Sequence, residues 1–494
     1  MAKVKLTSKV DSDVLVVGLA ISNKKLQIES GGSQIDTASL LATLNTMGAS
    51  GKVDEVIKLP GKNTKLVVFT GLGDIKSALD PENLRRAAGA ASRELNGNKS
   101  ATFSLPHKSV VELAAIAEGA ALGAYSFTEF LGSSKQDQKE PLSQVSVISK
   151  FADTAQAKAA AKRAEIIAEQ TYLVRDLINT PPSHLTPDSF SQQLKKLSSK
   201  YGVKAEILND AALKKGGYGG IIGVGQGSAN PPRLLHVSYS PAKAKKRYAF
   251  VGKGITFDTG GLALKPANGM EAMKSDMSGA AAVIAAVFAI AQLKLPIAID
   301  GWAPLAENMV SDNATRPSDV ITIYGGKTVE VLNPDAEGRL VLADALVKAA
   351  EVGKKAGGLD GIIDVATLTG AQVVALGTRT SAVMTNNEEF SNQFLKAAEI
   401  AGESFWPMPL PIELRASLDS PVADLANIGD RMGGMLVAGI FLKEFIDPQT
   451  PWLHLDIAGP AYNEKTAHGY TPVGGTGIAL RSLVQLAELA SSQS

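Results

Sequence analysis

The 494-residue sequence contains no cysteine, only five histidines, and few aromatic residues, which make up 5% of the chain. Without cysteine, disulfides, thiolate metal sites and cysteine nucleophiles are excluded. A bound metal ion must therefore be held by oxygen or nitrogen atoms. No two histidines have the spacing of metal ligands, and no nucleophile elbow accompanies them. We therefore predict structural or surface roles for His107, His184, His236, His454 and His468.

The sequence also lacks an excess of charge of either sign and a long apolar segment. Lysine and arginine total 50, aspartate and glutamate total 49, and the formal net charge of +1 does not indicate nucleic acid as a partner. The longest apolar run, GAAAVIAAVFAIA, is shorter than the roughly 20 residues that span a bilayer, and it predicts a buried helix. The N-terminal residues carry scattered charges and no signal-peptide core. These features predict a cytoplasmic protein with no membrane partner.

Alternating strand-like and helical segments predict an α/β protein of two domains. In the first part, strand-like runs such as VLVVGLA alternate with alanine-rich helical runs, which indicates a mostly parallel sheet. A helical segment then ends at NTPPSHLTP, where prolines prevent its continuation. We therefore predict an N-terminal α/β domain at 1–152, a linker helix at 153–180, and a larger α/β domain at 181–494. The second domain is expected to have a central mixed sheet covered by helices.

Two polar segments of the second part carry candidate ligands beside predicted strands and helices. VGKGITFDTGGLALKP follows a strand and contains Lys253, Asp258 and Lys265 among glycines, either as ordinary ion pairs in a turn or as ligands. MEAMKSDMSG places Asp276 directly before the apolar helix. There Asp276 is either a helix cap or a carboxylate near the core that needs a partner.

A third segment, NPDAEGRL, places Asp335, Glu337 and Arg339 at alternate positions, with Gly338 between the last two. Alternate residues of an extended segment point to the same side, so these side chains are expected to share one small volume. Carboxylates that close repel each other unless cationic groups lie among them. A salt-bridge network, one metal ion or several ions would each meet this requirement.

The candidate ligands in the three segments include four carboxylates, Asp258, Asp276, Asp335 and Glu337, and the segments contain no histidine. Hard oxygen ligands without thiolate suit Mg²⁺, Mn²⁺ or Zn²⁺. Four negative charges match two divalent cations, so the sequence predicts a two-metal hydrolytic site. In α/β sheets such ligands lie beyond the carboxyl ends of the strands, and LAEN, ATLTG and DIAG are further polar clusters expected there.

The glycine-rich segment KKGGYGGIIGVGQGSANPP suggests a different function, a dinucleotide or phosphate loop. Its glycines do not follow a strand in the required order, and SANPP interrupts the helix that should begin there. We predict a structural loop. A nucleotide-binding enzyme and a non-catalytic oligomeric scaffold remain as alternatives to a hydrolase.

The polar segments resemble, in order and spacing, the motifs of the leucyl aminopeptidase family, the cytosolic dinuclear metallo-aminopeptidases. The resemblance covers the chain from about residue 170 and rests on VGKGITFDTGG, MKSDM, NPDAEGRL, ATLTGA, INTPPSHLTP and VADLANIG. It implies a macro-like N-terminal domain, a catalytic C-terminal domain and a homohexamer. The implied activity is the release of N-terminal residues, with leucine and other apolar residues preferred, from peptides with a free N-terminus.

The resemblance also implies roles for individual residues. Two Mn²⁺ or Zn²⁺ ions, bridged by Asp258 and Glu337, would be held by Lys253, Asp258, Asp276, Asp335 and Glu337. A hydroxide bridging the two ions would attack the scissile carbonyl, Lys265 would polarise that carbonyl, and Arg339 would hold a bicarbonate as general base. Lys253 binds a metal only as a neutral amine, so the ions would have to lower its pKa. The implied substrate contacts are Met273, Thr367, Leu368, Gly370, Ala458 and Ala461.

The sequence departs from the family at Pro334, where a threonine is usual. Proline removes one backbone N–H and favours extended geometry at Asn333. No ligand side chain is lost. We therefore predict that the site is retained and that metal affinity is the property most open to change.

Overall fold

The computed structural model describes residues 1–75 and 80–492, which form two compact units. One unit contains Met1–Tyr172 and Asn463–Val473, and the other contains Leu173–Tyr462 and Gly474–Ser494. The change from one unit to the other falls inside the long helix Ala155–Asn179. No sequence signal indicates that Asn463–Val473 belongs with the first unit. The domain limits at residues 152 and 181 stay a prediction.

The first unit is built on a largely parallel sheet, as its strand-like runs predict. Its strands are β1 Lys3–Thr7, β2 Val14–Ser22, β3 Lys25–Glu29, β4 Val56–Pro60, β5 Leu66–Asp74, β6 Ser100–Ser104 and β7 Gln144–Ile148. Their order is β1-β7-β6-β2-β5-β4, with β3 paired to β2. The pairs of β4 and β3 are antiparallel and the others are parallel. The helices are α1 Thr37–Thr46, α2 Pro81–Arg93 and α3 Val110–Gly123, with a 3-10 helix at Ser133–Asp137.

Alternate residues of β2 supply the apolar cores on both faces of this sheet. Val14 and Val16 belong to the cluster that contains residues of α2 and α3. Leu15 and Val17 belong to the cluster that contains Leu44 of α1. This two-residue period is why the run VLVVGLA is apolar throughout and forms a strand buried on both faces.

The second unit contains a larger mixed sheet, as predicted. The strands that follow β7 are β8 Lys204–Leu208, β9 Arg233–Tyr239, β10 Arg247–Gly252, β11 Gly254–Asp258, β12 Ala298–Asn308, β13 Asp319–Thr322, β14 Thr328–Val331, β15 Gly361–Ala366, β16 Ser381–Thr385, β17 Phe405–Pro407, β18 Leu425–Ala426, β19 Trp452–Asp456, β20 Tyr462–Asn463 and β21 Gly474–Gly475. The main sheet has the order β17-β16-β19-β15-β10-β12-β9-β8, with β11 paired to β12. Strands β13, β14 and β18 form a small separate sheet.

Helices separate most of these strands. They are α4 Ala155–Asn179, α5 Pro187–Lys200, α6 Asp210–Gly216, α7 Gly219–Gly225, α8 Ser278–Gln292, α9 Gly338–Lys355, α10 Gly370–Leu376, α11 Glu388–Ala401, α12 Gly434–Lys443 and α13 Leu480–Ser492, with 3-10 helices at Met270–Ser275 and Ile412–Leu418. Helix α8 is buried along almost its whole length, which confirms the helix predicted from the apolar run. The stretch Met270–Gln292 is long and apolar enough to cross a membrane, but 94% of its most apolar window is buried inside the fold.

The parallel strands of the main sheet bring the polar motifs to one edge. Strand β10 runs parallel to β12 and β15, and β15 runs parallel to β19. Lys253 follows β10, Asn308 ends β12, Thr367 follows β15 and Asp456 ends β19. The carboxyl ends of parallel strands are where α/β proteins place their ligands. We therefore expect the candidate site at this edge of the sheet.

Two segments differ from their predicted structure. The composition of RYAFVGKGITF predicts one strand, but Lys253 separates β10 from β11, and the N–H of Lys253 donates to Val365 O at 2.9 Å. The glycine-rich segment is not a loop, because it forms the short helices α6 and α7. The buried carboxylate of Asp344 accepts hydrogen bonds from Ile221 N and Tyr324 N, both at 2.7 Å. A carboxyl group of the fold itself thus already lies at the start of α7 and accepts the hydrogen bond from Ile221 N there.

Candidate metal centre

The segment Asn333–Glu337 is a turn, and the extended geometry predicted from its alternating charges is wrong. Asn333 Oδ1 accepts from Asp335 N at 2.9 Å, and Asn333 O accepts from Ala336 N at 3.0 Å. An asparagine side chain that bonds the backbone two residues on is a common turn former. Glu337 is then the N-cap residue of α9. The two acidic residues converge through this turn and not through the pleat of a strand.

The four predicted carboxylate ligands gather around one volume. Oxygen atoms of Asp258, Asp335 and Glu337 lie within 4.8 Å of one another. Asp276 joins them through Lys253, whose Nζ lies 2.8 Å from Asp276 Oδ2 and 2.8 Å from Glu337 Oε1. All of these side chains are buried except Asp335, which is half-buried. The five predicted metal ligands therefore form one cluster.

Two lysines lie among the carboxylates. Lys265 Nζ is 2.9 Å from Asp258 Oδ2 and 2.5 Å from Asp335 Oδ1. Lys253 Nζ also donates to Thr367 O at 3.0 Å. Burial by itself would lower the pKa of either lysine, but the surrounding carboxylates outweigh burial and raise the pKa of both above the ordinary value. With the carboxylates alone as neighbours, Lys253 is an ammonium, and it can bind a metal only if the ion displaces its proton.

The pKa values of three carboxyl groups are raised as well, which in a carboxyl group favours the neutral form. Burial raises the pKa of Asp276, Glu337 and Asp335 above the usual carboxyl range, and the charge of Asp258 adds to the effect in each case. The lysines oppose this shift without cancelling it. The two lysines therefore supply too little positive charge to keep the pKa values of these three carboxyl groups in the usual range. Divalent cations beside the oxygens would restore the ionised form.

The oxygen atoms fit bound cations. Asp276 Oδ2, Asp335 Oδ1 and Glu337 Oε1 are buried oxygen atoms of the cluster. Each lies at ion-pair distance from a lysine. Two ammonium groups balance only half the charge of four ionised carboxylates. A salt-bridge network is thus present but incomplete, and buried oxygens of this kind suit Mn²⁺ or Zn²⁺.

Asp276 does not cap helix α8, so that alternative is wrong. The N-cap residue is Met277, and no side chain caps the helix there. Asp276 Oδ1 instead accepts a hydrogen bond from Thr367 Oγ1 at 2.7 Å. Thr367, which also accepts a hydrogen bond from Lys253 through its carbonyl, therefore contacts two of the predicted ligands at once.

Two glycines leave room for the cluster. A methyl group on Gly338 would place its carbon 2.5 Å from Lys253 Cε and 2.8 Å from Lys253 Nζ. Gly260 has a φ of +85°, and a methyl group there would lie 2.9 Å from Asp335 Oδ1. Side chains rarely adopt such a φ. The glycine between Glu337 and Arg339 is therefore explained by the lysine that occupies the space beside it.

Arg339 is buried beside the cluster with one donor unused. Its Nη1 donates to Asn427 O at 2.8 Å, while its Nε donates to none of the residues that the structure describes. Burial lowers the pKa of Arg339 to about 10, although the charges of Glu337 and Asp456 raise it. The guanidinium thus stays charged at neutral pH. A buried cation with a spare donor fits a small anion such as bicarbonate.

Three of the predicted substrate residues, Thr367, Leu368 and Ala458, donate hydrogen bonds to buried aspartates. Thr367 contacts two ligands, as described above. Asp456 Oδ1 accepts from Leu368 N at 3.1 Å and from Ala458 N at 3.2 Å, and Asp456 Oδ2 accepts from Thr369 Oγ1 at 2.7 Å. One buried carboxylate thus holds the two chain segments together. The other three predicted substrate residues are Met273, Gly370 and Ala461. Their position around a bound substrate stays a prediction.

Sequence reasoning missed three buried polar residues that support the site, namely Asn308, Asn427 and Asp456. Asn308 Nδ2 donates to Asp258 Oδ1 at 2.8 Å and to Pro334 O at 3.1 Å. Each of the three lies in a polar cluster or motif noted in the sequence, at or directly after a strand. That position was the available signal, but it does not reveal which distant segment the side chain contacts.

The histidines do not join the cluster. Within the described residues, the acidic group close enough to hold a metal consists of Asp258, Asp335 and Glu337. His454 is fully buried, and its Nδ1 lies 2.5 Å from Asp364 Oδ1. This agrees with the structural role predicted for it.

The chain matches two models of one protein family and several curated relatives. Residues 172–484 match the catalytic domain of the cytosol aminopeptidase family, and residues 16–134 match its N-terminal domain. A probable cytosol aminopeptidase of Streptomyces avermitilis is 52% identical over 97% of this chain and 96% of the relative. One of Rhodococcus opacus is 48% identical over 96% and 94%. The solved structure of the bottromycin maturation enzyme BotP in complex with Mn has a TM-score of 0.86 and 37% identity over 97% of this chain and 100% of that chain.

Proposed function

Because the chain belongs to the cytosol aminopeptidase family and is a metallo-aminopeptidase, we propose that it releases leucine and other apolar residues from the free N-terminus of peptides. The observation that carries the proposal is the single buried cluster of four carboxylates, in which the ammonium groups of Lys253 and Lys265 offset only half of the carboxylate charge. A scaffold protein gains nothing from so costly an arrangement.

We assign metal binding to the five clustered residues. Two divalent ions, Mn²⁺ or Zn²⁺, would be held by Lys253, Asp258, Asp276, Asp335 and Glu337. When bound, the ions supply Lewis-acid polarisation of the scissile carbonyl and a water of lowered pKa. The presence of Mn in the BotP structure supports the choice of ion.

Lys265 is assigned to the reacting carbonyl. Its ammonium is only half-buried, and its partners, Asp258 and Asp335, are proposed ligands whose oxygens would turn to the ions. Lys265 Nζ would then be available to donate a hydrogen bond to the carbonyl oxygen of the substrate. A preorganised cation at that oxygen stabilises the negative charge that develops in the transition state.

Arg339 is assigned to a bicarbonate ion, which would act as general base. The unused Nε of Arg339 and the absence of histidine from the acidic group among the described residues support this role. A general base must lie within hydrogen-bond reach of the proton that it removes, and among the described residues the acidic group contains no imidazole that could take this role.

Leu368 and the residues around it are assigned to the substrate. The Leu368 carbonyl would accept a hydrogen bond from the free α-amine, which an internal peptide bond does not offer, so the enzyme would act as an exopeptidase. The first side chain would enter an apolar pocket lined by Met273, Thr367, Gly370, Ala458 and Ala461. An apolar pocket discriminates one methylene by only about 1–3 kcal/mol, so we expect broad specificity.

A homohexamer and a cytoplasmic location are proposed from the family alone. The curated relatives are named cytosol aminopeptidases, which supports the location. The resemblance of the motifs supports the assembly.

The proposed activity is tested with leucine p-nitroanilide and its N-acetylated form as the matched control. We expect hydrolysis of the free-amine substrate, loss of activity in a chelator, and recovery on addition of Mn²⁺ or Zn²⁺. The N-acetyl substrate should remain intact, because it offers no free amine. Turnover that persists in the chelator, or equal cleavage of the acetylated substrate, would contradict the proposal.

A further inference from the structure

Asn427 is a fully buried asparagine held in place by the small three-stranded sheet. It directly follows β18, which pairs in parallel with β14. Its N–H donates to Glu330 O at 2.9 Å and so extends that pairing by one residue. The backbone of Asn427 is therefore fixed from outside the metal cluster.

The side chain of Asn427 is directed at the turn that carries two proposed ligands. Its Oδ1 accepts from Leu332 N at 2.8 Å and from Asn333 N at 3.1 Å. Its Nδ2 donates to Asn333 O at 2.7 Å and to Ala336 O at 3.3 Å. A primary amide offers two N–H donors and two oxygen lone pairs, so every one of its hydrogen-bonding positions is used on this turn.

The main chain of Asn427 contacts a third functional residue. Its carbonyl accepts from Arg339 Nη1 at 2.8 Å and leaves Arg339 Nε unused. On the other side of the turn, Asn308 holds Pro334 O and the ligand Asp258. The turn is thus held between two asparagines, but only Asn427 also contacts the guanidinium.

We propose that Asn427 is a positioning residue of the metal centre, which fixes the turn bearing Asp335 and Glu337 in register with Arg339. It contacts neither ion nor substrate in this role. The inference rests on the proposed function, since positioning has meaning only if the turn binds metal. Metal sites tolerate only small errors in ligand placement, and residues that orient ligands contribute about 10- to 100-fold to metal affinity or activity.

Two variants test the role, Asn427→Ala and Asn427→Asp. Alanine removes all four hydrogen bonds of the amide, although Asn333 O keeps its bond from Ala336 N. Aspartate keeps the acceptor but turns a carboxylate oxygen toward two carbonyl oxygens, and that repulsion displaces the turn. The matched control is Asn386→Ala, because Asn386 also makes two amide hydrogen bonds to backbone, with Trp452 N and Thr450 O, but none to the turn.

Mn²⁺ affinity is measured by calorimetry on full-length protein stripped of metal, together with kcat, KM and the melting temperature. We expect both Asn427 variants to bind Mn²⁺ about 10- to 100-fold more weakly and to lose kcat by a similar factor, with KM changed less than about threefold. Asn386→Ala should lower the melting temperature and leave affinity and kcat within about twofold.

Wild-type affinity and kcat in either Asn427 variant that folds, whatever its melting temperature, would overturn the role. If neither variant folds, Asn427 is a folding residue and the proposal is likewise overturned. A wild-type protein that binds no Mn²⁺ would instead contradict the proposed function, so the two failures are distinguishable.

Discussion

Glu337→Gln should lower kcat/KM by about a thousandfold or more while leaving the metal-free protein at least as stable as the wild type. The amide has the same shape but no charge, and it removes one of the four carboxylates that surround the proposed ions. A thousandfold loss corresponds to about 4 kcal/mol of transition-state stabilisation. Activity at saturating Mn²⁺ and the affinity for Mn²⁺ should both fall.

The stability half of this prediction follows from the direction of the pKa shift. Burial raises the pKa of Glu337 in the folded protein, so its ionised form opposes folding at neutral pH when no cation is present. Replacing it with a neutral amide removes that cost. The metal-free variant should therefore melt at the same temperature or higher, as measured by calorimetric unfolding in chelator.

Glu403→Gln is the matched control for a buried glutamate outside the cluster. Glu403 Oε2 accepts from Ser482 N at 3.0 Å and from Ser482 Oγ at 2.5 Å. Its replacement should lower the melting temperature and keep kcat/KM within about threefold. Equal losses of activity in the two variants would show that Glu337 acts through the fold and not through metal.

Gly338→Ala should reduce kcat/KM by about a hundredfold, although the substitution replaces no charged residue. The added methyl carbon would lie 2.5 Å from Lys253 Cε, and Lys253 is enclosed by Asp276, Glu337 and the Thr367 carbonyl. The lysine must move, and a displacement near 1 Å at a reacting centre costs about a hundredfold. Overpacking should also destabilise the fold by about 1–3 kcal/mol.

Gly434→Ala is the matched control, because Gly434 is likewise the first residue of a helix, α12. A methyl group there would meet only Ala371 Cβ, at 3.9 Å, which is an ordinary contact. This variant should keep wild-type kcat/KM and Mn²⁺ affinity. A double-mutant cycle with Lys253→Ala completes the test, since the effect of Gly338→Ala on Mn²⁺ affinity should shrink to less than about threefold once the lysine side-chain atoms that meet the methyl group are gone.

The elements set by local patterns could be predicted from the sequence. Strand β2 followed from its run of β-branched and aliphatic residues, and helix α8 from an apolar stretch too long for a strand. The carboxylate ligands followed from charge repulsion and from their positions near strand ends. Their roles then rested on the resemblance to the family.

The contacts that define the cluster could not be predicted, because they join residues far apart in the chain. Asn427 holds Leu332 and Asn333 across about 95 and 94 residues, and Lys253 fills the space beside Gly338. The turn at Asn333 was wrongly predicted as extended, although asparagine followed by proline is itself a turn signal. Charged residues at alternate positions predict a strand, but the same spacing occurs in a turn that the side-chain amide of Asn333 stabilises.

The presence of two metal sites in each chain is tested by the number of divalent ions that one chain binds. Wild-type protein stripped with chelator is dialysed to equilibrium against Mn²⁺ or Zn²⁺ and its metal content determined by mass spectrometry, beside Glu337→Gln. We expect two bound ions per chain in the wild type and fewer in Glu337→Gln. No bound metal in the wild type, or the same content in both proteins, would contradict it.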